Sequence, residues 1–300
     1  MDFSQARKFI YRNARPLDLA RFSYHFENGP ADAILTALEC YQNQDGGFGH
    51  GLEPDSFNPD SSPIMGWVAT CLIREAGLED PTHPLIRGLL NWLNSGACFT
   101  TKTWQNCVPS NNDYPHAIWW EYNADDSLTY NPTASLAGFI LKFADRNSEL
   151  FAKGLKIAKT AVEYFLAQSS TSVHELRNFI ELYEYINEAN LKDIFPRQLY
   201  HETIQKRIHA CLCYDYEKWK TEYVPKLSQL VNSKNSDFYE SNEEIAAEEC
   251  RFIEESQLPD GSYPVTWRWY TDYPAAEAVS LNFWKSDIII KNLIFLKNMR

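Results

Sequence analysis

Basic clusters are missing from this chain. Its 300 residues hold 28 Lys and Arg against 40 Asp and Glu, a net charge of −12, and its pI is about 5.1. A nucleic-acid or anionic-membrane surface needs grouped cations to replace released counterions, so neither partner is expected. No stretch reaches the roughly 18 to 20 apolar residues of a membrane span. Met1-Asp2-Phe3-Ser4-Gln5 lacks the charged, apolar and small-residue sections of a signal peptide, so a cytoplasmic protein is expected. The 7 cysteines are odd in number and scattered over positions 40, 71, 98, 107, 211, 213 and 250. They fit reduced, mostly buried thiols better than a disulfide framework. Strand signals are nearly absent, apart from the short piece Tyr263-Pro264-Val265-Thr266-Trp267. A Walker loop, a dinucleotide fingerprint, a His-Glu-x-x-His pair and a nucleophile elbow are all missing, so no cofactor is expected.

Aromatic residues are plentiful instead, with 9 Trp, 17 Tyr and 17 Phe making up 14% of the chain. They fill a large core, line a concavity, or do both. Apolar residues recur at helical spacing in Ile64, Trp67, Val68, Cys71 and Leu72, the stripe that lays one helix face on a core. Ser62-Pro63 starts that helix: Ser offers an oxygen to free amides, and Pro lacks the N–H that goes unpaired at the first position. Asn131-Pro132 repeats the start ahead of Leu136, Phe139, Ile140 and Phe143, and Pro274 leads into Ala275-Ala276-Glu277. Further stripes run through Leu85, Leu89, Trp92 and Leu93; Phe151, Leu155, Ala158, Val162 and Phe165; and Leu176, Phe179, Ile180 and Tyr183. The pattern predicts an all-α chain of about ten to twelve helices, a single domain over residues 1–300 with no linker dividing it.

One short pattern occurs twice. Gln42-Asn43-Gln44-Asp45-Gly46-Gly47-Phe48 and Gln257-Leu258-Pro259-Asp260-Gly261-Ser262-Tyr263 both read Gln-x-x-Asp-Gly-x-aromatic. A repeat points to architecture before chemistry. Gly46 and Gly261 are expected to close helix ends in the left-handed region. Gln42 and Gln257, expected still on their helices, carry amides able to bond a neighbouring loop or helix end, with Phe48 and Tyr263 over the joint. The motif is read as a clamp between helical hairpins.

Phe252-Ile253-x-x-x-Gln257-x-x-x-Gly261-x-Tyr263 resembles the QW repeat of triterpene cyclases. Gln42-x-x-x-Gly46-x-Phe48, within Asp45-Gly46-Gly47-Phe48-Gly49, resembles the glycine-aromatic repeat of protein prenyltransferase β-subunits. The resemblance covers about the first and last fifths of the chain. It departs from the pattern where Phe48 or Tyr263 replaces Trp, and where Glu248-Glu249 stand for a basic and a small residue. It implies an α/α toroid, two concentric rings of paired helices around a central cavity with loops forming the site at one mouth. The cyclases' Asp-x-Asp-Asp has its nearest counterpart in Asn123-Ala124-Asp125-Asp126, which lacks the first Asp and nominates Asp125, or is a solvated turn. The prenyltransferases' zinc set is not reproduced by Cys211-Leu212-Cys213-Tyr214-Asp215, and no metal is expected.

Three clusters carry chemistry-bearing residues. His50-Gly51-Leu52-Glu53-Pro54-Asp55 offers an imidazole and two carboxylates for acid–base work, or alternatively caps its own loop. Tyr114-Pro115-His116-Ala117-Ile118-Trp119-Trp120-Glu121 and Trp267-Arg268-Trp269-Tyr270-Thr271-Asp272-Tyr273-Pro274-Ala275-Ala276-Glu277 set Trp beside ionisable groups ahead of a Pro-started helix. His50, Glu53, Asp55, His116, Glu121, Asp272 and Glu277 are the candidate acids and bases. Trp119, Trp120, Trp267, Trp269 and Tyr273 are candidate substrate walls, or simply packing. Glu243-Glu244-Ile245-Ala246-Ala247-Glu248-Glu249 is read as a solvated helix face, and His83, His174, His201 and His209 as surface or satisfied core residues. The expected partner is a small-molecule substrate or ligand, handled by acid–base chemistry on an apolar or polyhydroxylated compound. A carbohydrate-active toroid (glycoside hydrolase, lyase or epimerase) and a toroid that binds without catalysis are the alternatives.

Overall fold

A computed structural model of the chain describes residues 1–124 and 129–300. Among the described residues the fold is all-α, with no strand and eleven α-helices: α1 Phe3–Asn13, α2 Pro16–Phe26, α3 Asp32–Glu39, α4 Pro63–Glu75, α5 Pro84–Ser95, α6 Thr133–Phe143, α7 Glu149–Ala167, α8 Val173–Glu188, α9 Arg197–Cys211, α10 Glu243–Glu255 and α11 Pro274–Met299. No helix is long and apolar enough to cross a membrane among these residues. The chain forms two compact units, one of Met1–Leu38 with Cys211–Arg300 and one of Glu39–Ala210.

Helix starts follow local chemistry. Ser62 accepts the Met65 amide at 3.4 Å with Pro63 as the first residue of α4, and Pro274 opens α11. Pro132 falls one position earlier than the spacing suggests, because Thr133 begins α6 and its hydroxyl is taken up by the Trp104 amide at 2.9 Å.

In the Glu39–Ala210 unit α6 is the centre. Nearly every residue of it is buried, Leu136, Phe139, Ile140 and Phe143 among them, and α7, α8 and α4 pack around it. The predicted apolar stripe of α8 is buried throughout, as is that of α5. The α4 stripe divides. Ile64 and Leu72 are buried together with Met65, Ala69 and Ile73, whereas Trp67, Val68 and Cys71 stay half-buried. The small Gly66 and Ala69 let the core face rotate toward Met65 and Ile73, and this leaves Trp67, Cys71 and Arg74, at i, i+4 and i+7, as a separate face of the helix.

The other unit gathers α1, α2, α10 and α11. A buried ionic chain ties α2 to α11: Asp18 takes Arg15 at 2.7 Å and Arg21 at 3.2 Å, and Arg21 reaches Asp287 at 2.7 Å. The acidic stretch of α10 is only partly a solvated face. Glu249 is buried and accepts the Ser228 amide at 3.0 Å and its hydroxyl at 2.5 Å, closing the start of the short 3-10 turn Leu227–Gln229. Burial raises this carboxyl from its ordinary range against those bonds.

The two Gln-x-x-Asp-Gly-x-aromatic segments, one in each unit, have the same internal geometry. In the first, Gly46 donates to the Asn43 carbonyl and Asn43 to the Gly47 carbonyl, both at 2.9 Å. In the second, Gly261 donates to Leu258 at 2.9 Å and Leu258 to Ser262 at 2.8 Å. Asp45 accepts the Gly47 amide and Asp260 the Ser262 amide, each at 2.9 Å. Gly46 has φ 90° and Gly261 φ 91°, and Phe48 and Tyr263 are fully buried. Each Gln donates to its own glycine carbonyl, at 3.0 Å for Gln42 and 3.1 Å for Gln257. Each donates again to a carbonyl in the opening turn of another helix in its own unit, Leu85 of α5 at 3.2 Å and Asp2 before α1 at 3.0 Å.

The expected helix-end role is corrected in two respects. Both glutamines lie past the helices, since α3 ends at Glu39 and α10 at Glu255, and the glycines close a separate turn rather than cap a helix. The reason is close approach. A Cβ on Gly46 meets the backbone of Gly88 on α5, and one on Gly261 meets the backbone of Gln5 and Ala6 on α1. A bare backbone is what lets each turn seat against a helix.

Candidate functional site

The loop between α3 and α4 hangs from the first repeated turn and pairs with the segment around His116. Phe57 donates to the Pro115 carbonyl at 2.9 Å and Ala117 to the Asp55 carbonyl at 2.8 Å, so Ser56 and His116 face each other as an isolated antiparallel bridge. This pairing brings Glu53, Asp55 and His116 into one buried region. Their exposures are 7%, 2% and 6%. The Glu53 carboxylate takes the Asp55 amide at 2.9 Å, and the Glu53 amide points at Met65 Sδ at 3.1 Å, fixing the loop to the first turn of α4. His116 holds its Nδ1 2.6 Å from the Tyr114 carbonyl. Since that oxygen only accepts, the contact assigns a proton to Nδ1.

The remaining candidates of this loop region are not drawn into the group. His50, exposed and with φ 59°, turns its Nε2 to Asn43 Oδ1 at 2.9 Å. Asn43 lines an open depression of about 570 Å³ together with Asp45, Asp60, Ser61 and Trp92. Trp120 is buried, its indole N–H without an acceptor among the described residues, while Trp119 is 39% exposed and Glu121 is exposed. Asp125 lies outside the described residues.

In the other unit the C-terminal cluster is divided between core and surface. Trp269 is 0% exposed, a core ring, and its amide donates to Glu277 Oε1 at 3.0 Å. Glu277 thus spends one oxygen tying the preceding loop to the first turn of α11. Trp267 stands edge-on to Tyr223 and Trp284, centroids 5.4 and 5.3 Å away. Asp272 and Tyr273 are exposed.

A polar array that composition and spacing did not announce lies along α4 and α8. Glu181 accepts the Trp67 indole N–H at 2.7 Å and Arg177 Nε at 3.0 Å. The Arg177 guanidinium lies 4.8 Å from the centre of the Trp67 ring and 3.5 Å from Cys71 Sγ. One turn further, Arg74 pairs with Glu184 at 2.7 Å and Glu188 at 3.1 Å and lies 4.1 Å over the Tyr185 ring. Burial drives the Glu184 carboxyl up to about 7, against the pull of Arg74. Water reaches the 40% of that side chain left exposed and screens part of this effect. His174, read above as a surface or satisfied core residue, is exposed, and Arg177 stands one turn along α8; partial desolvation first and the Arg177 charge second hold its imidazole below the ordinary range. The signal was present in the sequence as two polar stripes, Trp67, Cys71 and Arg74 on one helix and Arg177, Glu181, Glu184 and Glu188 on another. It was masked because Trp and Cys count as apolar.

Among the described residues no group of three or more His, Cys, Asp or Glu side chains is arranged to hold a metal ion. No protein-family model matches the chain, and no curated protein or solved structure matches it.

Proposed function

We propose that this chain is an α/α-toroid protein resembling the terpenoid cyclase and prenyltransferase superfamily, and an enzyme that acts on a small molecule by acid–base chemistry, with Glu53, Asp55 and His116 as its working groups. The burial of these three ionisable side chains on one loop pairing carries the reading. Removing a charged group from water costs several kcal/mol even after relaxation, and this loop pairing buries two carboxylates and an imidazole together. An imidazole can relay a proton, and the Tyr114 carbonyl orients this one. The matching turns support the architectural half, because each seats a buried ring and a glutamine amide on another helix, as a repeat joining helical hairpins must.

Mass spectrometry of small molecules retained by the purified protein tests the reading. A compound held by the wild type and lost from Asp55→Asn and His116→Ala, with helical circular dichroism unchanged, is the expected result; equal retention in all three proteins overturns it. The carbohydrate-active reading is favoured by one observation, the charged rather than apolar lining of α4 and α8.

A further inference from the structure

Trp67, Arg177 and Glu181 are locked to one another by a 2.7 Å indole bond, a 3.0 Å guanidinium bond and a ring contact, yet Trp67 and Arg177 stay half-buried. Arg74 and Glu184 continue the row with 31% and 40% of their side chains exposed. Open ion pairs of this kind contribute about 0 to 1 kcal/mol each, and both helices are already held by the buried α6. Stability does not account for aligning so many polar side chains with their ends open to water.

The array is selective in kind. An isoprenoid chain lying on it would strip water from guanidinium and carboxylate groups without replacing their bonds. An anion would meet Glu181, Glu184 and Glu188, and a cation would meet Arg74 and Arg177. Neutral hydroxyls escape both conflicts: each donates to a carboxylate and accepts from a guanidinium, and the apolar face of a sugar ring stacks on an indole. Alternating Glu and Arg beside a fixed Trp therefore suit vicinal hydroxyls.

We propose that the α4/α8 face is a binding site for a neutral polyhydroxylated small molecule, with Trp67, fixed by Glu181, as stacking platform and Arg74 and Glu184 as hydroxyl partners. This rests on the reading that the chain takes a small molecule, and is independent of any chemistry at Glu53, Asp55 and His116. A carboxyl raised toward neutrality at Glu184 adds a group able both to donate and to accept.

Tryptophan fluorescence and calorimetry with glucose, cellobiose, maltose, trehalose and myo-inositol at up to about 10 mM, the range of weak single-site affinities, test the proposal. Saturable binding of at least one probe is expected, weakened tenfold or more in Trp67→Ala and Arg74→Ala and kept in Trp67→Phe, which retains the ring. Should Trp67→Ala not fold, Arg74→Ala against Trp67→Phe decides. Failure of all five probes, or binding that survives both Trp67→Ala and Arg74→Ala, overturns it. Loss in Asp55→Asn alone would place the site at the loop and leave the acid–base reading standing.

Discussion

Gln42 donates one carboxamide nitrogen to its own Gly46 at 3.0 Å and to Leu85 of another helix at 3.2 Å. Gln257 does the same toward Gly261 at 3.1 Å and Asp2 at 3.0 Å. The correspondence extends to spacing along the receiving helix. In each case the glycine packs three residues beyond the carbonyl that the Gln bonds, at Gly88 and at Gln5. Two sequence copies thus build one joint twice.

Replacing Gly46 or Gly261 by Ala is expected to destabilise by about 3 kcal/mol or more, since a left-handed φ costs about 1 to 3 kcal/mol before the clash is counted. Gly77 supplies the control, with φ 68° and nothing within 4 Å of an added Cβ. Gly77→Ala should cost only the strain of about 1 to 2 kcal/mol. Urea unfolding of the three variants checks the order.

Gln42→Leu should cost more than Gln257→Leu. Both variants lose a part-buried bond to their own glycine carbonyl, but Gln42 also leaves the part-buried Leu85 carbonyl, whereas Asp2 is exposed and water replaces the lost amide there. A part-buried acceptor left unsatisfied costs about 1 to 3 kcal/mol. Thermal melts of the pair read the difference.

Asp287→Asn is expected to destabilise by about 3 to 5 kcal/mol, the cost of breaking a buried pair from one side. Burial alone would raise this carboxyl, but Lys291 and Arg21 outweigh it and hold it well below the ordinary carboxylate range. A depressed folded pKa gives stability that is present above the unfolded pKa of about 3.9 and is lost as pH falls below it. The acid limb of unfolding should therefore be shallower in Asp287→Asn than in the wild type below about pH 4.

Glu184 has the opposite sign. Burial pushes its folded carboxyl up from an ordinary 4.5, to about 7 before water screens its exposed part, so across that interval the folded state holds the extra proton and stability falls as pH rises. Glu184→Gln should flatten that decline, as denaturant midpoints across this interval will show.

Much of the helical frame could be read from apolar spacing, because α5, α6 and α8 bury the residues that the 3.6-residue period selects. The repeated turn was legible too, although not its place beyond the helices, since nothing local in Gln42 or Gln257 marks where α3 and α10 stop. Burial of Glu53, Asp55 and His116 depends on backbone pairing between segments far apart in sequence, which no local pattern encodes. The α4/α8 array escaped for a different reason: Trp67 and Cys71 fit an apolar stripe, and only the packing of Met65 and Ile73 shows which way the helix faces.

Chemistry on a small molecule is the role proposed for the buried Glu53, Asp55 and His116. Wild-type protein and Asp55→Asn, each incubated with a mixture of cellular small molecules and followed by untargeted mass spectrometry, test it directly. Consumption of at least one compound by the wild type and not by a folded Asp55→Asn is the predicted result. An unchanged mixture with both proteins, or equal consumption by both, would contradict it.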